Sequence, residues 1–141
     1  MLVSCLYASR AAAKTDESIL DDLLEQSRKK NLKLGITGLL CASDDVFVQI
    51  LEGGRDEVCE LYNSIAADKR HTHVRILSFE EISERRFGSW TMGQADLSRV
   101  NPGLLLKYFR HARLEPFDAP GKATLALMHD LVDTAAVKRG E

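Results

Sequence analysis

The sequence predicts a ferredoxin-like α+β fold, in which a mixed sheet carries two helices on one face. Five strand-like runs and two amphipathic helices alternate in the order βαββαββ within residues 1–95. The second and third runs are separated only by Asp44 and Asp45, which is typical of a tight hairpin. Two βαβ crossovers around a central hairpin define this fold, and two further helices, predicted after residue 95, are expected to cover the bare face of the sheet.

The length and the composition of the chain are those of one globular domain. The chain has 141 residues, of which 45% are hydrophobic and 28% charged, and a domain of this size buries roughly two thirds of its unfolded surface. The net charge of −2 and the pI near 6.1 argue against a nucleic-acid partner, which requires clustered basic residues. No signal peptide and no apolar run of about 18 residues is present, so we expect a cytoplasmic protein without a membrane partner. Three cysteines without a CxxC pair are expected to be reduced core thiols.

The first helix, which follows the first strand, places two polar residues on its apolar face. Leu2 to Ala8 forms the strand, and Thr15 or Asp16 can cap a helix that runs to about Asn31. At about 100° per residue, one stripe of that helix collects Leu20, Leu23, Leu24, Ser27 and Asn31. Asn31 therefore either caps the end of the helix or is a buried amide that needs a polar partner.

The central hairpin contributes a third polar residue to the interior. Gly35 to Ser43 and Val46 to Glu52 are its strands, and alternation places Gln49 between Phe47 and Leu51 on one face. A second helix, about Arg55 to Asp68, follows Gly53-Gly54, and its apolar stripe consists of Val58, Leu61, Tyr62 and Ile65.

The remaining elements complete the sheet and its expected cover. Val74 to Glu81 is the predicted fourth strand, and Ser89 to Ala95 the fifth, with Trp90 and Met92 on one of its faces. Asn101 and Pro102 form a helix start, and the apolar residues of that helix are Leu104, Leu105, Tyr108 and Phe109. The last helix is predicted from about Lys122 to Lys138, with an apolar stripe of Met128, Leu131, Val132 and Ala135.

No catalytic signature is present. The sequence lacks the nucleophile elbow, the phosphate-binding loop, the dinucleotide fingerprint and the zinc-protease motif. His71 and His73 would share a face in an extended segment, but spacing offers no third ligand, and we expect no metal site.

Tyr7 and Gln49 are predicted to meet. The first and third strands are central neighbours in this strand order, so the two side chains lie beneath the helices and face Ser27 and Asn31. From the residues alone, a Tyr–Gln hydrogen bond that stabilises the core is favoured over a ligand site.

Six motifs change that balance. They are Leu2-Val-Ser-Cys-Leu-Tyr7-Ala-Ser9, Ser27-x-x-x-Asn31, Ile36-Thr-Gly-Leu-Leu, Phe47-Val-Gln49-x-Leu-Glu-Gly53, Asp68-Lys-Arg70-His71 and Arg85-Arg-Phe-x-x-Trp90-x-Met92. Taken together over residues 2 to 95, they resemble the BLUF family of flavin-binding blue-light sensors.

The resemblance implies a noncovalent flavin between the two helices, usually FAD, with FMN or riboflavin as alternatives. It implies that Asn31 binds the polar edge of the flavin ring and that Gln49 bridges the ring and Tyr7. Arg70 and His71 would flank the outer face of the ring or its phosphates. The other implied cofactor-binding residues are Leu23, Ser27, Ile36, Phe47 and Ile65.

The resemblance also implies a photochemical switch. Light excites the flavin, Tyr7 supplies an electron and a proton, and their return leaves the Gln49 amide rearranged. Trp90 and Met92 are both candidates for the position beside Gln49. If they compete for it, the fifth strand would shift when the Gln49 amide changes its hydrogen bonds. Trp90 can equally be a large anchor at the edge of the sheet.

The expected organisation is a BLUF photosensor domain over residues 1–95 and a helical extension over residues 96–141. No effector domain is expected and the chain is not expected to be an enzyme, so an unidentified downstream protein or a change of homo-oligomer would carry the signal. An acylphosphatase-like hydrolase is the alternative, but the loop after Ser9 contains Arg10 and no glycine. A ligand-free interaction module is a third interpretation.

Overall fold

The sheet has six strands in the order β4-β1-β3-β2-β5-β6. The structure is a computed structural model that describes residues 1–12, 17–134 and 136–138, excluding the side chains of residues 17–20, 23 and 138. Its elements are β1 (Leu2–Ala11), α1 (Glu17–Leu34), β2 (Thr37–Ser43), β3 (Val46–Gly54), α2 (Arg55–Ala67), β4 (His71–Ile82), β5 (Gly93–Ala95), a 3₁₀ turn (Leu97–Arg99), α3 (Pro102–Leu106), α4 (Gly121–Leu131) and β6 (Val137–Lys138).

Strand pairing confirms the predicted fold class. β1 lies between β3 and β4 and is antiparallel to both, and β2 forms an antiparallel hairpin with β3. β5 joins the other edge of β2 in parallel, which makes the sheet mixed. The short β6, absent from the sequence prediction, extends the sheet beyond β5.

The hairpin turn between β2 and β3 sets which residues point to each face. Asp44 has a φ of 55°, a left-handed conformation that Asp tolerates better than most residues. As alternation predicts, Phe47, Gln49 and Leu51 lie on the side of α1 and α2. Val48 and other alternate residues of β3 pack on the opposite side.

Two apolar layers enclose the sheet. The helix-side core comprises Val3, Cys5, Tyr7, Leu24, Ile36, Leu40, Phe47, Leu51, Val58, Leu61 and Met92. On the other face, residues of α3 and α4 such as Leu105, Leu127 and Leu131 pack against Leu6, Val48 and other residues of the sheet. The C-terminal helices therefore cover the second face of the sheet, as predicted.

The interpretation of Asn31 as a helix cap is wrong. The α1 helix continues to Leu34 and is followed by Gly35, whose φ of +69° suits a residue without a Cβ atom. Asn31 consequently lies within the last turns of α1 and is 1% exposed. The proposed caps Thr15 and Asp16 lie outside the described residues.

The predicted fifth strand is too long. β5 contains only Gly93–Ala95, and residues 91–92 form a bend. Because alternation applies only to extended backbone, Trp90 and Met92 do not share a face: Trp90 lies in the core beneath α3 and α4, and Met92 lies in the core beneath α1 and α2.

Other boundaries differ as well. β4 begins at His71, three residues before the prediction, and α3 ends at Leu106. The last helix ends at Leu131, and the chain then turns into β6 rather than continuing to Lys138. Ala135, assigned to the apolar stripe of that helix, lies outside the described residues. The three cysteines are free thiols, and no helix in the described ranges is long and apolar enough to cross a membrane.

Candidate functional site

A cleft of about 220 Å³ lies between α1, α2 and the sheet. β1, β2 and β3 supply its floor, and the chain between α2 and β4 closes one end. The residues that line it are Tyr7, Gln26, Ser27, Lys30, Asn31, Leu40, Phe47, Gln49, Leu61, Ser64, Ile65, Asp68, Arg70 and His71.

Most of the residues predicted for the site lie in this cleft. They are Tyr7, Ser27, Asn31, Phe47, Gln49, Ile65, Arg70 and His71. Ile36 is fully buried in the helix-side core and does not line the cleft. The side chain of Leu23 lies outside the described residues. Six other residues line the cleft and were not predicted for it: Gln26, Lys30, Leu40, Leu61, Ser64 and Asp68. Of these, Lys30 directly precedes Asn31 on α1.

Tyr7 and Gln49 are directly paired across β1 and β3. The Tyr7 hydroxyl donates a hydrogen bond to Oε1 of Gln49, and Nε2 of Gln49 donates to the sulfur of Met92 over 3.2 Å. All three residues are buried. The Gln49 amide thus has a donor on one side and a weak acceptor on the other, and a half-turn of the amide would reverse both contacts.

The environment of Tyr7 keeps its phenol protonated. Burial raises the pKa of Tyr7 far above its ordinary value, and the nearby Cys5 and Tyr62 raise it further. The ring of Tyr62 meets the Tyr7 ring edge-on at 5.9 Å between centroids. Tyr7 therefore holds a hydroxyl proton that it donates to Gln49 across the physiological pH range.

Asn31 carries a buried acceptor without a partner. Its Nδ2 donates to the backbone oxygen of Thr91 over 3.3 Å. Its Oδ1 is buried and accepts no hydrogen bond within the part of the chain that the structure describes. Such an atom costs about 1–3 kcal/mol, so an N–H donor on a ligand in the cleft would offset that cost.

The end of the cleft beside the chain between α2 and β4 is polar and partly basic. Arg70 donates to both carboxylate oxygens of Asp68, with Nη2 at 2.6 Å from Oδ2, and these bonds lower the pKa of Asp68 to about 2. Nδ1 of His71 lies 3.0 Å from the hydroxyl of the buried Ser9, and burial lowers the pKa of His71. Two cationic side chains, Lys30 and Arg70, line the same cleft as the His71 ring.

The segment Trp90–Met92 passes beside the cleft. Besides the Gln49 contact, the oxygen of Met92 accepts from Nε of Arg28 over 3.2 Å, and the oxygen of Trp90 accepts from the N–H of Gly38 over 3.2 Å. Met92 thus occupies the place beside Gln49. The Trp90 ring instead packs against Phe87, 5.7 Å away between centroids, on the other face of the sheet.

The sequence gives no signal for Arg28. It is adjacent to Ser27 on α1, at the flank of the apolar stripe, and its contact becomes visible only when the position of Met92 is known.

Residues 2–93 match the family described as "BLUF: Sensors of blue-light using FAD". Among curated proteins, the photoactivated adenylate cyclase subunit beta of Euglena longa is 34% identical over 95 residues, which are 67% of this chain and 11% of that protein. The blue light- and temperature-regulated antirepressor of Escherichia coli K12 is 29% identical over 99 residues, 69% of this chain and 24% of that protein. The chain therefore spans only a minor part of these relatives.

Solved structures match over most of the chain. The dark-state structure of BlrB, a BLUF protein, has a TM-score of 0.78 at 33% identity and covers 93% of this chain and 94% of its own. The photo-activated state of BlsA has a TM-score of 0.79 at 25% identity, with 100% and 99% of the two chains covered. These matches extend beyond residue 93 into the C-terminal helices.

Proposed function

Because the chain belongs to the BLUF family of blue-light sensors, we propose that its cleft binds FAD noncovalently and that the bound flavin drives a switch at Gln49. FMN or riboflavin can take the place of FAD if the ring supplies most of the affinity. The observation that carries the proposal is the unpartnered Oδ1 of Asn31, buried in the wall of a cleft that also contains the Tyr7–Gln49 pair.

The cleft residues fit a flavin. Asn31 offers an acceptor to a ring N–H, and Phe47 and Ile65 offer apolar walls. Ser27 adds a hydroxyl on α1. Arg70, with His71, would stand by the phosphates or the outer face of the ring. The sequence contains no glycine-rich phosphate cradle, so the ring is expected to dominate recognition.

The switch uses the two hydrogen bonds of Gln49. A flavin held in the cleft would supply a group that absorbs blue light and can take up an electron when excited. Tyr7 would give an electron and its hydroxyl proton to the excited flavin, which would remove the donor at Oε1 of Gln49. Gln49 then rotates or tautomerises before the electron and proton return to Tyr7, so no net reaction occurs. With the amide reversed, Nε2 no longer donates to the sulfur of Met92.

Met92 carries the change out of the cleft. β5 begins at the residue after Met92 and is paired with β2 over three residues only, so a shift of Met92 is transmitted directly to a short strand. The Trp90 ring, on the opposite face near α4, is a second route to the C-terminal helices. A change at the cleft affects output only if it biases two arrangements of this region.

We further propose that the chain signals without catalysis of its own. In this scheme residues 1–95 are the photosensor, and residues 96–141 are an extension that passes the signal to a separate protein or to a second copy of the chain. Relatives named as a cyclase subunit and as an antirepressor indicate that outputs differ among proteins that share this region.

The decisive experiment is an absorption spectrum of the purified chain, reconstituted with FAD, before and after blue light. We expect a flavin spectrum whose visible band shifts to the red under light and returns in the dark. A protein that stays colourless after reconstitution would contradict the proposal.

Hydrogen exchange of residues 88–112 in the dark and in the light tests the output route, and equal exchange in both states would reject that route.

A further inference from the structure

The segment Trp90–Met92 lies in front of β5 and outside the strand ladder, so individual hydrogen bonds must hold it. Three of its backbone oxygens accept such bonds. The oxygen of Trp90 accepts from the backbone of Gly38. The oxygens of Thr91 and Met92 accept from side chains of α1, namely Asn31 and Arg28.

These bonds differ in their relation to the cleft. Asn31 lines the cleft, as does Gln49, which contacts the Met92 sulfur. Arg28 does not line it. Arg28 therefore contacts the backbone of Met92 from outside the ligand site.

The geometry favours a stable hydrogen bond between Arg28 and the backbone of Met92. Nε of Arg28 lies 3.2 Å from the oxygen of Met92, and a charged donor forms a stronger bond than a neutral one. The Arg28 side chain is only 25% exposed, and its Nη1 lies 4.0 Å from a carboxylate oxygen of Glu25 on the same helix. This arrangement orients the guanidinium toward the backbone of Met92.

We infer that Arg28 is a positioning residue, which holds the backbone of Met92 against α1 and thereby returns the Met92 sulfur to Gln49 after each light-induced change. The first half of this inference concerns the resting protein and needs no flavin. The second half, the control of recovery, rests on the proposed function. Arg28 sets how far the segment moves and how quickly it returns, whereas Tyr7 and Gln49 perform the switch.

The test uses the full chain with Arg28→Met, which keeps an apolar stem but has no donor. Lys29→Met is the matched control, because Lys29 is the exposed next residue of the same helix. Arg28→Lys restores a charged donor.

In the dark, Arg28→Met is expected to speed amide exchange of Gly93–Ala95 about fivefold, the effect of losing one hydrogen bond. Lys29→Met should leave exchange unchanged, and Arg28→Lys should restore most of the protection. In flavin-loaded protein, the size of the red shift should be unchanged in Arg28→Met while its dark recovery slows about fivefold, and Arg28→Lys should recover at close to the original rate.

Unchanged exchange of Gly93–Ala95 in Arg28→Met would overturn the inference, as would an equal effect of Lys29→Met. Normal recovery in Arg28→Met would overturn its second half. If the unmodified chain shows no red shift at all, the proposed function fails, but the exchange measurements in the dark still decide whether Arg28 holds Met92.

Discussion

Gln49 donates a hydrogen bond from Nε2 to the sulfur of Met92 over 3.2 Å. The two residues are 43 positions apart in the chain, and the other end of the same amide accepts from Tyr7. One side chain thus connects a buried phenol to the residue that precedes β5. Whatever reverses this amide alters both contacts together, which makes Gln49 the structural link between the cleft and β5.

Tyr7→Phe is expected to abolish the red shift and to retain the flavin. The substitution removes the hydroxyl that donates to Gln49 but keeps the buried ring. Difference absorption spectroscopy measures the shift. Tyr62→Phe is the control, because it removes a hydroxyl from the neighbouring ring and should preserve the shift. A normal red shift in Tyr7→Phe would exclude Tyr7 from the switch.

Gln49→Leu should also remove the red shift, because leucine can neither accept from Tyr7 nor donate to Met92. The same substitution at Gln26, which lines the cleft from α1, should leave the shift in place. Difference spectra of the two variants at equal flavin occupancy make the comparison. Persistence of the shift in Gln49→Leu would show that the amide is not required.

Asn31→Ala is expected to weaken flavin binding about 10- to 100-fold, since a buried hydrogen bond to the ligand is worth about 1–3 kcal/mol. The substitution removes the unpartnered Oδ1 and the bond to Thr91. Titration of the flavin-free protein with FAD gives the Kd. Asn63→Ala, an exposed change on α2, should leave the Kd within twofold. Equal affinities in the two variants would remove Asn31 from the site.

Glu52→Ala should lower the free energy of unfolding by about 2–4 kcal/mol. The Glu52 carboxylate is 2% exposed and accepts from the backbone N–H groups of Arg86 and Phe87 at 3.0 and 2.7 Å, so its loss leaves both donors without that acceptor. Urea unfolding measures the change. Glu81→Ala, which removes an exposed ion pair with Arg55, should cost less than about 1 kcal/mol.

Glu52 should also make the stability of the protein depend on pH. Burial raises the pKa of Glu52 despite the two backbone hydrogen bonds, which lower it. A raised pKa in the folded state means that the folded protein binds the proton more tightly than the unfolded chain. The part of the stability that arises from this raised pKa is therefore fully present below the unfolded pKa and is lost as pH rises through the folded pKa. Relative to Glu52→Gln, the unmodified protein should lose stability over that interval, and parallel pH profiles would contradict the assignment.

Gly121→Ala should destabilise the attachment of α4 to β4. A Cβ atom at residue 121 would lie 2.1 Å from the backbone oxygen of Leu77, so the helix must move, at a cost of about 1–3 kcal/mol. Alanine has a higher helix propensity than glycine. A net loss of stability in Gly121→Ala would therefore be due to the clash with Leu77. Gly88→Ala, whose Cβ atom would meet Arg85 at an ordinary 3.4 Å, is the control in the same thermal or urea unfolding assay.

Local patterns in the sequence predicted the features that depend on neighbours along the chain. Alternation placed Gln49 on the helix side of β3, and helical periodicity placed Asn31 on the buried face of α1. The strand order then brought Tyr7 to Gln49. These predictions agree with the structure because a strand of period two and a helix of 3.6 residues per turn fix the direction of each side chain before any tertiary contact forms.

Tertiary structure decided the rest of the site. The bend at residues 91–92, and with it the choice of Met92 over Trp90 beside Gln49, depends on bonds from Gly38, Asn31 and Arg28. All three donors are more than 50 positions away in the chain. The short β6 likewise depends on its pairing with the distant β5. Hydrogen bonds between distant segments override local alternation where the backbone is not extended, so only the folded chain shows that Arg28 and Met92 belong together.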